Sequence, residues 1–194
     1  MSVLRVLPFM FSKKWIFTTL LVAIGAGVCI RLGIWQLDRL DQRRTFNAHF
    51  ISMRALPPLD ISADAPANIA TLEYRAVTVR GMYDFSNQVA IRNQYDNGMV
   101  GFDLVTPLRL ADGSAVLVDR GWVGADGADS RAGWSRFDGP DQVEVQGVIR
   151  LGQAEAPFGG LIDPTLTPGQ TRLDFWNFIN MERLAKQMLY PILS

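Results

Sequence analysis

The chain has 194 residues, with 19 basic and 19 acidic side chains, one histidine and one cysteine. That inventory excludes a Cys/His metal cluster, a two-histidine zinc site and an intrachain disulfide. Without its first 31 residues the chain keeps 15 basic against 19 acidic groups, a net of −4, and it has no continuous basic track that would suit nucleic acid.

The first predicted element is a membrane helix. Trp15 and Trp35 bracket an apolar run in which Ile16 to Ile30 carries no charge. Twenty residues at about 1.5 Å each place the two indoles roughly 30 Å apart, one hydrocarbon thickness of a bilayer, where tryptophans favour the interfaces. Thr18 and Thr19 can return their hydroxyls to backbone carbonyls one turn back, and Arg31, near the helix end, can snorkel to the headgroups. A cleavable signal peptide is the competing reading, because Arg5, Lys13 and Lys14 form a positive start. No Ala-x-Ala site follows the apolar run, so retention of the helix is favoured. Cys29 then lies in the membrane as a small apolar residue. Basic residues on both sides leave the orientation undecided by charge.

Residues 1–35 are thus assigned to an N-terminal segment and transmembrane helix, and 36–56 to a juxtamembrane helical extension. In the extension Leu37, Leu40, Phe46 and Phe50 recur without Gly or Pro to interrupt them. Pro57-Pro58 should end it, and residues 57–72, rich in Ala, Asp and Pro, read as a linker. His49, alone on a charged helix, reads as a solvated side chain rather than a ligand. Trp35, Gln36 and Arg39 admit two readings. They can anchor the helix at the interface, or Gln36 can use its amide to bond another helix or the chain's own domain.

From residue 73 to 194 the period changes to two. Strands are expected at Tyr74–Arg80, with Gly81 breaking the run, and at Gln88–Arg92, Phe102–Leu110, Ala115–Val123 and Gln142–Arg150, where Gly147 is expected to mark a bulge or bend. Asp96-Asn97-Gly98 and Asp112-Gly113 are hairpin-grade turns. Closely spaced strands with short turns predict a small antiparallel sheet that curls or closes as a barrel. Residues 156–169 should form an irregular loop. Asn180 is the expected N-cap of an amphipathic helix that presents Met181, Leu184, Ala185 and Met188 on one face and stops before Pro191. The fold class is therefore a membrane-anchored α+β protein: an N-terminal transmembrane helix with a helical extension, a small antiparallel β-sheet or barrel domain, and a C-terminal amphipathic helix.

No Gly-x-Gly-x-x-Gly, Walker lysine or Gly-x-Ser-x-Gly string is present, and no nucleophile has a partner histidine in the β domain, so the chain reads as a non-enzyme. The densest unusual cluster is Asp119-Arg120-Gly121-Trp122. It can be a strand end where Arg120 pairs with a carboxylate, Gly121 takes a special backbone angle and Trp122 covers the core. It can also be a contact surface, since Arg and Trp dominate interface hot spots, but from the residues alone the strand-end reading is preferred.

At these residues the sequence resembles the Surfeit locus family of cytochrome c oxidase assembly factors, in its bacterial membrane form. Leu32-Gly33-Ile34-Trp35-Gln36-Leu37-Asp38-Arg39 is similar to the family's Leu-Gly-x-Trp-Gln-x-x-Arg, and Glu73-Tyr74-Arg75-Ala76-Val77 with Gly81 and Phe85 to its first strand block. Thr106-Pro107-Leu108 leads into Val116-Leu117-Val118-Asp119-Arg120-Gly121-Trp122-Val123, where Asp119 stands for the family's asparagine. Val145-Gln146-Gly147-Val148-Ile149-Arg150 resembles the next strand, and Phe175-Trp176-Asn177 with Asn180-Met181-Glu182-Arg183 the segment after it.

The resemblance implies a non-catalytic biogenesis factor for haem-copper oxidase that assists haem a insertion into the catalytic subunit. Its implied partners are that subunit or haem a synthesis proteins, together with the lipid bilayer. It places the soluble domain on the outer side of a bacterial cell membrane, ahead of a mitochondrial inner membrane. The motif residues it marks are Gly33, Trp35, Gln36, Arg39, Tyr74, Gly81, Pro107, Arg120, Gly121, Trp122 and Gly147, as structural or partner-contact positions. Family members continue through a further strand into a second membrane helix bearing a histidine, so a C-terminal truncation is expected here, and direct haem contact is not expected of the chain as given. A membrane-tethered binding module or accessory subunit without a haem role is the alternative.

Overall fold

The computed structural model describes residues 13–62, 66, 68–156 and 159–193. It divides into two compact units, residues 1–52 and 53–194.

The first unit is dominated by one helix, α1 (Ile16–Ala55), whose 40 residues form the only described helix long and apolar enough to cross a membrane. At about 1.5 Å per residue it is roughly 60 Å long, twice a hydrocarbon thickness, so its C-terminal half is the expected charged extension. No residue of α1 is buried. The helix ends just before Pro57-Pro58, as the prolines require.

The second unit is a seven-stranded sheet built from β1 (Leu59–Asp60), β2 (Ala76–Tyr83), β3 (Val89–Asp96), β4 (Met99–Arg109), β5 (Ala115–Gly124), β6 (Gln142–Val148) and β7 (Phe175–Trp176). A single turn, α2 (Arg131–Trp134), and a short helix, α3 (Met181–Lys186), accompany it. The long strands pair antiparallel as expected, but the sheet is mixed: β1 pairs parallel with β2, and β7 parallel with β3. Two-residue strands of this kind leave no period in the sequence, so their direction is set by where the chain returns. Residues 59–61, expected in a linker, instead pair with β2, and Ile61 is buried in the core.

Two glycines behave differently from their expectation. Gly81 does not break its strand, because β2 runs through it to Tyr83 and crosses the end of β4 there, with Met82 opposite Arg109 and Tyr83 opposite Leu108. A Cβ at Gly81 would lie 2.4 Å from the Arg109 carbonyl oxygen, so the glycine permits the crossing. Gly147 marks no bulge: β6 stays in unbroken register with β2 from Gln142 to Val148.

The turn chemistry holds. Asn97 and Gly98 both have positive φ, 48° and 81°, the pattern of a two-residue hairpin turn, and Gly113 has φ 87°. Asn180 caps α3 by accepting the Arg183 N–H at 3.0 Å, and Leu184 is fully buried. One face of the curled sheet buries Val77, Val79 and Leu108 with Ile149, while Val89, Ile91 and Val105 pack with Leu173, Trp176 and Leu184. A third cluster joins Ala90 and Leu104 to Ala128 and Trp134.

Candidate functional site

The motif cluster in β5 is organised by a bulge. Asp103 pairs with Trp122 and Val105 with Asp119, so Arg120 and Gly121 together face the single residue Leu104. Gly121 takes φ 100°, and the Asp119 carboxylate accepts its N–H at 2.9 Å. A second bulge lies on the other side of β4, where Arg92 and Asn93 face Phe102 and Asn93 has φ 60°. Trp122 lies across Gly101, whose added Cβ would meet the indole at 2.4 Å, and its N–H points to the Gln94 carbonyl at 3.4 Å.

Arg120 is consumed by the protein itself. Its guanidinium donates to Gln88 Oε1 at 2.9 Å and to the Phe137 carbonyl, pairs with Asp138 at 3.7 Å, and sits 5.3 and 4.9 Å from the Tyr83 and Phe85 ring centres. Gln88 Oε1 also accepts the Thr106 hydroxyl at 2.5 Å, and both Gln88 and Thr106 are buried. A mostly buried guanidinium requires such partners, because an unpaired charge in that setting is strongly unfavourable.

Three more distant residues converge on the same stretch, 84–88. Arg172 donates to the carbonyls of Ser86 and Gln88, each at 3.0 Å, and pairs with Asp174 at 2.9 Å. Arg131 also donates to the Ser86 carbonyl. Burial and the neighbouring Arg131 lower the pKa of Arg172, while Asp174 opposes them. Asp84 accepts the Asn87 amide at 2.8 Å and the Tyr190 hydroxyl at 2.9 Å, and its backbone N–H bonds the Pro107 carbonyl. Gly81, Pro107 and Arg120 thus meet around one crossing, with 84–88 as its hub. Sequence reasoning missed Gln88, Arg131, Arg172 and Tyr190, whose side-chain hydrogen-bond partners lie 18 to 106 residues away in the chain.

The remaining motif residues lie elsewhere. Tyr74, with φ 72°, bonds Ile149 through its backbone N–H and stacks under Arg150, and Gly147 sits on β6 nearby. Gly33, Trp35, Gln36 and Arg39 belong to α1, where Arg39 reaches Gln42 at 3.3 Å. His49 and Cys29 are exposed positions on α1. Among the described residues no group of three or more His, Cys, Asp or Glu is placed to hold a metal.

The hub has a pH signature. Burial pushes the Asp84 carboxyl up, but hydrogen bonds from Ser86, Asn87 and Tyr190 outweigh it and leave its pKa below the usual value. Burial first, and then the Asp84 partner, push the Tyr190 phenol well above 10. A depressed carboxylate stabilises the fold above its unfolded pKa near 3.8 and loses that contribution as pH falls through the folded value. A raised phenol contributes fully below about pH 10 and loses its contribution as pH rises toward its folded pKa. Tyr190→Phe is expected to remove part of the alkaline loss of stability, with a residual slope from Tyr83, whose pKa burial also raises. Unfolding midpoints in urea between pH 8 and pH 11 test this (about the range over which a phenol titrates). Identical slopes for both proteins would show that the Asp84 contact contributes nothing.

Residues 23–193 match the sequence model of the SURF1 family. The chain is 30% identical over 191 residues to Surfeit locus protein 1 of Takifugu rubripes, covering 89% of this chain and 73% of that protein. It is 29% identical over 190 residues to Surfeit locus protein 1 of Mus musculus, spanning 57% of the mouse protein's length. A SURF1-like protein of Rickettsia felis is 29% identical over 107 residues, covering 54% of this chain and 46% of that protein.

Proposed function

Since the chain belongs to the SURF1 family, we propose that it is a non-catalytic assembly factor for haem-copper cytochrome c oxidase, acting where haem a enters the catalytic subunit. The observation that carries this reading is the extent of the match, which runs through α1 and the whole sheet rather than one motif. In this reading α1 spans the membrane and holds the globular unit on its outer side. The catalytic subunit or haem a synthesis proteins are the partners within reach, in a bacterial cell membrane.

Between Met53 and Ser194 the sequence has neither histidine nor cysteine, so a haem iron would find only methionine or tyrosine as a familiar side-chain ligand there. In this reading the unit acts by contact, and the arginine hub at 84–88 ties together the strands it presents. Disrupting the gene in its own host is expected to remove most of the reduced haem a absorbance of the membranes while sparing b-type cytochromes. Unchanged haem a would overturn the assembly role. Fewer oxidase complexes, each with its normal haem a, would instead identify an accessory subunit.

A further inference from the structure

Between Glu155 and Arg172 the sequence carries a single charge, Asp163, and the fold turns that charge inward. The Asp163 carboxylate accepts the Asn177 backbone N–H at 2.6 Å and a bond from the Arg183 guanidinium at 3.4 Å, and its side chain has no exposed surface. The apolar side chains beside it do the opposite. Leu161 is 67% exposed, Ile162 80% and Leu166 50%, so the loop shows its apolar groups and hides its ion.

The backbone of this stretch satisfies itself as well. Asn177 Nδ2 donates to the Ile162 carbonyl at 3.0 Å, and Arg183 donates to the Pro164 carbonyl at 2.9 Å. Thr167 donates its N–H to Gln170 Oε1 at 3.1 Å and accepts the Gln170 N–H at 2.9 Å, while Pro164 and Pro168 have no N–H to pair. Internal pairing of this kind is what a low-polarity surrounding demands and water does not. The β3–β4 hairpin tip is the contrast. Tyr95 and Met99 are exposed there too, but Asp96 stands exposed between them.

We propose that residues 161–166 form a lipid-docking loop, whose Leu161, Ile162 and Leu166 enter the interface of the bilayer that α1 spans. The inference rests on α1 being a membrane helix and goes beyond the assembly role. The tether allows it: the charged half of α1 is about 30 Å long, and a unit of 53–194 has a radius of gyration of about 14 Å, so the tether is shorter than the unit is wide. A protein partner reads a polar rim as well as an apolar centre, and this loop offers only apolar groups. The chain's own end lies elsewhere. Ile192 shares a groove with Met181 and Ala185 of α3, whereas Arg183, which holds the loop, is about half a turn round that helix from both.

The test places a fluorescent probe at one position at a time on the full chain in phosphatidylcholine vesicles. Some of the lipid bears a nitroxide about 5–10 Å below the headgroups, the depth that interfacial apolar groups reach. Cys29, the only cysteine, carries the probe in the native sequence, and Ile162→Cys or Met99→Cys carries it in a Cys29→Ser background. Quenching at Ile162 is expected to exceed that at Met99 by about twofold or more. Adding Leu161→Asp should lower quenching at Ile162 to the Met99 level, because a carboxylate resists the interface, and should leave the urea midpoint unchanged, because Leu161 is exposed. Quenching at Cys29 with equal, weak signals at Ile162 and Met99 would overturn the loop alone. Quenching at none of the three would overturn the membrane span with it. Burial of the Ile162 probe in membranes of the host, but not in phosphatidylcholine, would overturn the lipid and assign the loop to a protein.

Discussion

Trp134→Ala is expected to remove a large share of the globular unit's stability. The ring is 2% exposed, donates its N–H to the Ala128 carbonyl at 2.8 Å, and meets Phe175 edge-on at 5.3 Å. It fills the third cluster between Ala90, Leu104 and Ala128. Truncating a buried tryptophan costs about 3–5 kcal/mol, against a total stability of roughly 5–15 kcal/mol for a domain. Trp122→Ala should cost less, about 1–2 kcal/mol, because that ring is only half-buried and its N–H bond is long at 3.4 Å. Urea midpoints of the two variants, measured on the full chain in detergent, should separate clearly. A larger loss for Trp122 would mean that the motif tryptophan, and not Trp134, anchors this core.

The second large effect is expected at Gly81. Its backbone passes under the end of β4 so closely that a Cβ would stand 2.4 Å from the Arg109 carbonyl oxygen and 3.0 Å from the Leu108 side chain. The carbonyl belongs to the strand backbone and cannot rotate aside, so Gly81→Val must pry β2 from β4. Overpacking of this kind costs about 3 kcal/mol. The damage should spread to Arg120, because Tyr83 and Phe85, on which its guanidinium rests, follow directly from the crossing. Gly147→Val is the matched control: same substitution, neighbouring strand, open space, and a valine that suits a strand. Equal destabilisation by the two would show that the crossing is not what Gly81 serves.

Several features of the chain are local and were legible without the fold. The length of α1 follows from an uninterrupted run closed by Pro57-Pro58, and the Asn97-Gly98 turn and the Asn180 cap follow from single residues whose backbone or side-chain preferences decide them. Among the long strands β2 and β6 alternate, whereas β3 and β4 bury consecutive residues on both faces and were legible from their apolar runs and the turns that bound them. The role of Arg120 could not be read in the same way. Its partners come from residues 83–88 and 137–138, and nothing in its own neighbourhood announces them.

By itself, then, the sequence determined one helix long enough for a membrane, the identity of the antiparallel strands and their turns, and the family strings spread along them. Tertiary structure alone decided that Gly81 sits in a crossing and Gly147 over open space, that short strands enter parallel at the sheet's margins, and that Trp134 and Trp176 rather than Trp122 fill the core. The reason is physical. Periodicity and caps depend on neighbours three or four residues away, whereas the use of a glycine or an arginine depends on what the chain brings against it from scores of residues away.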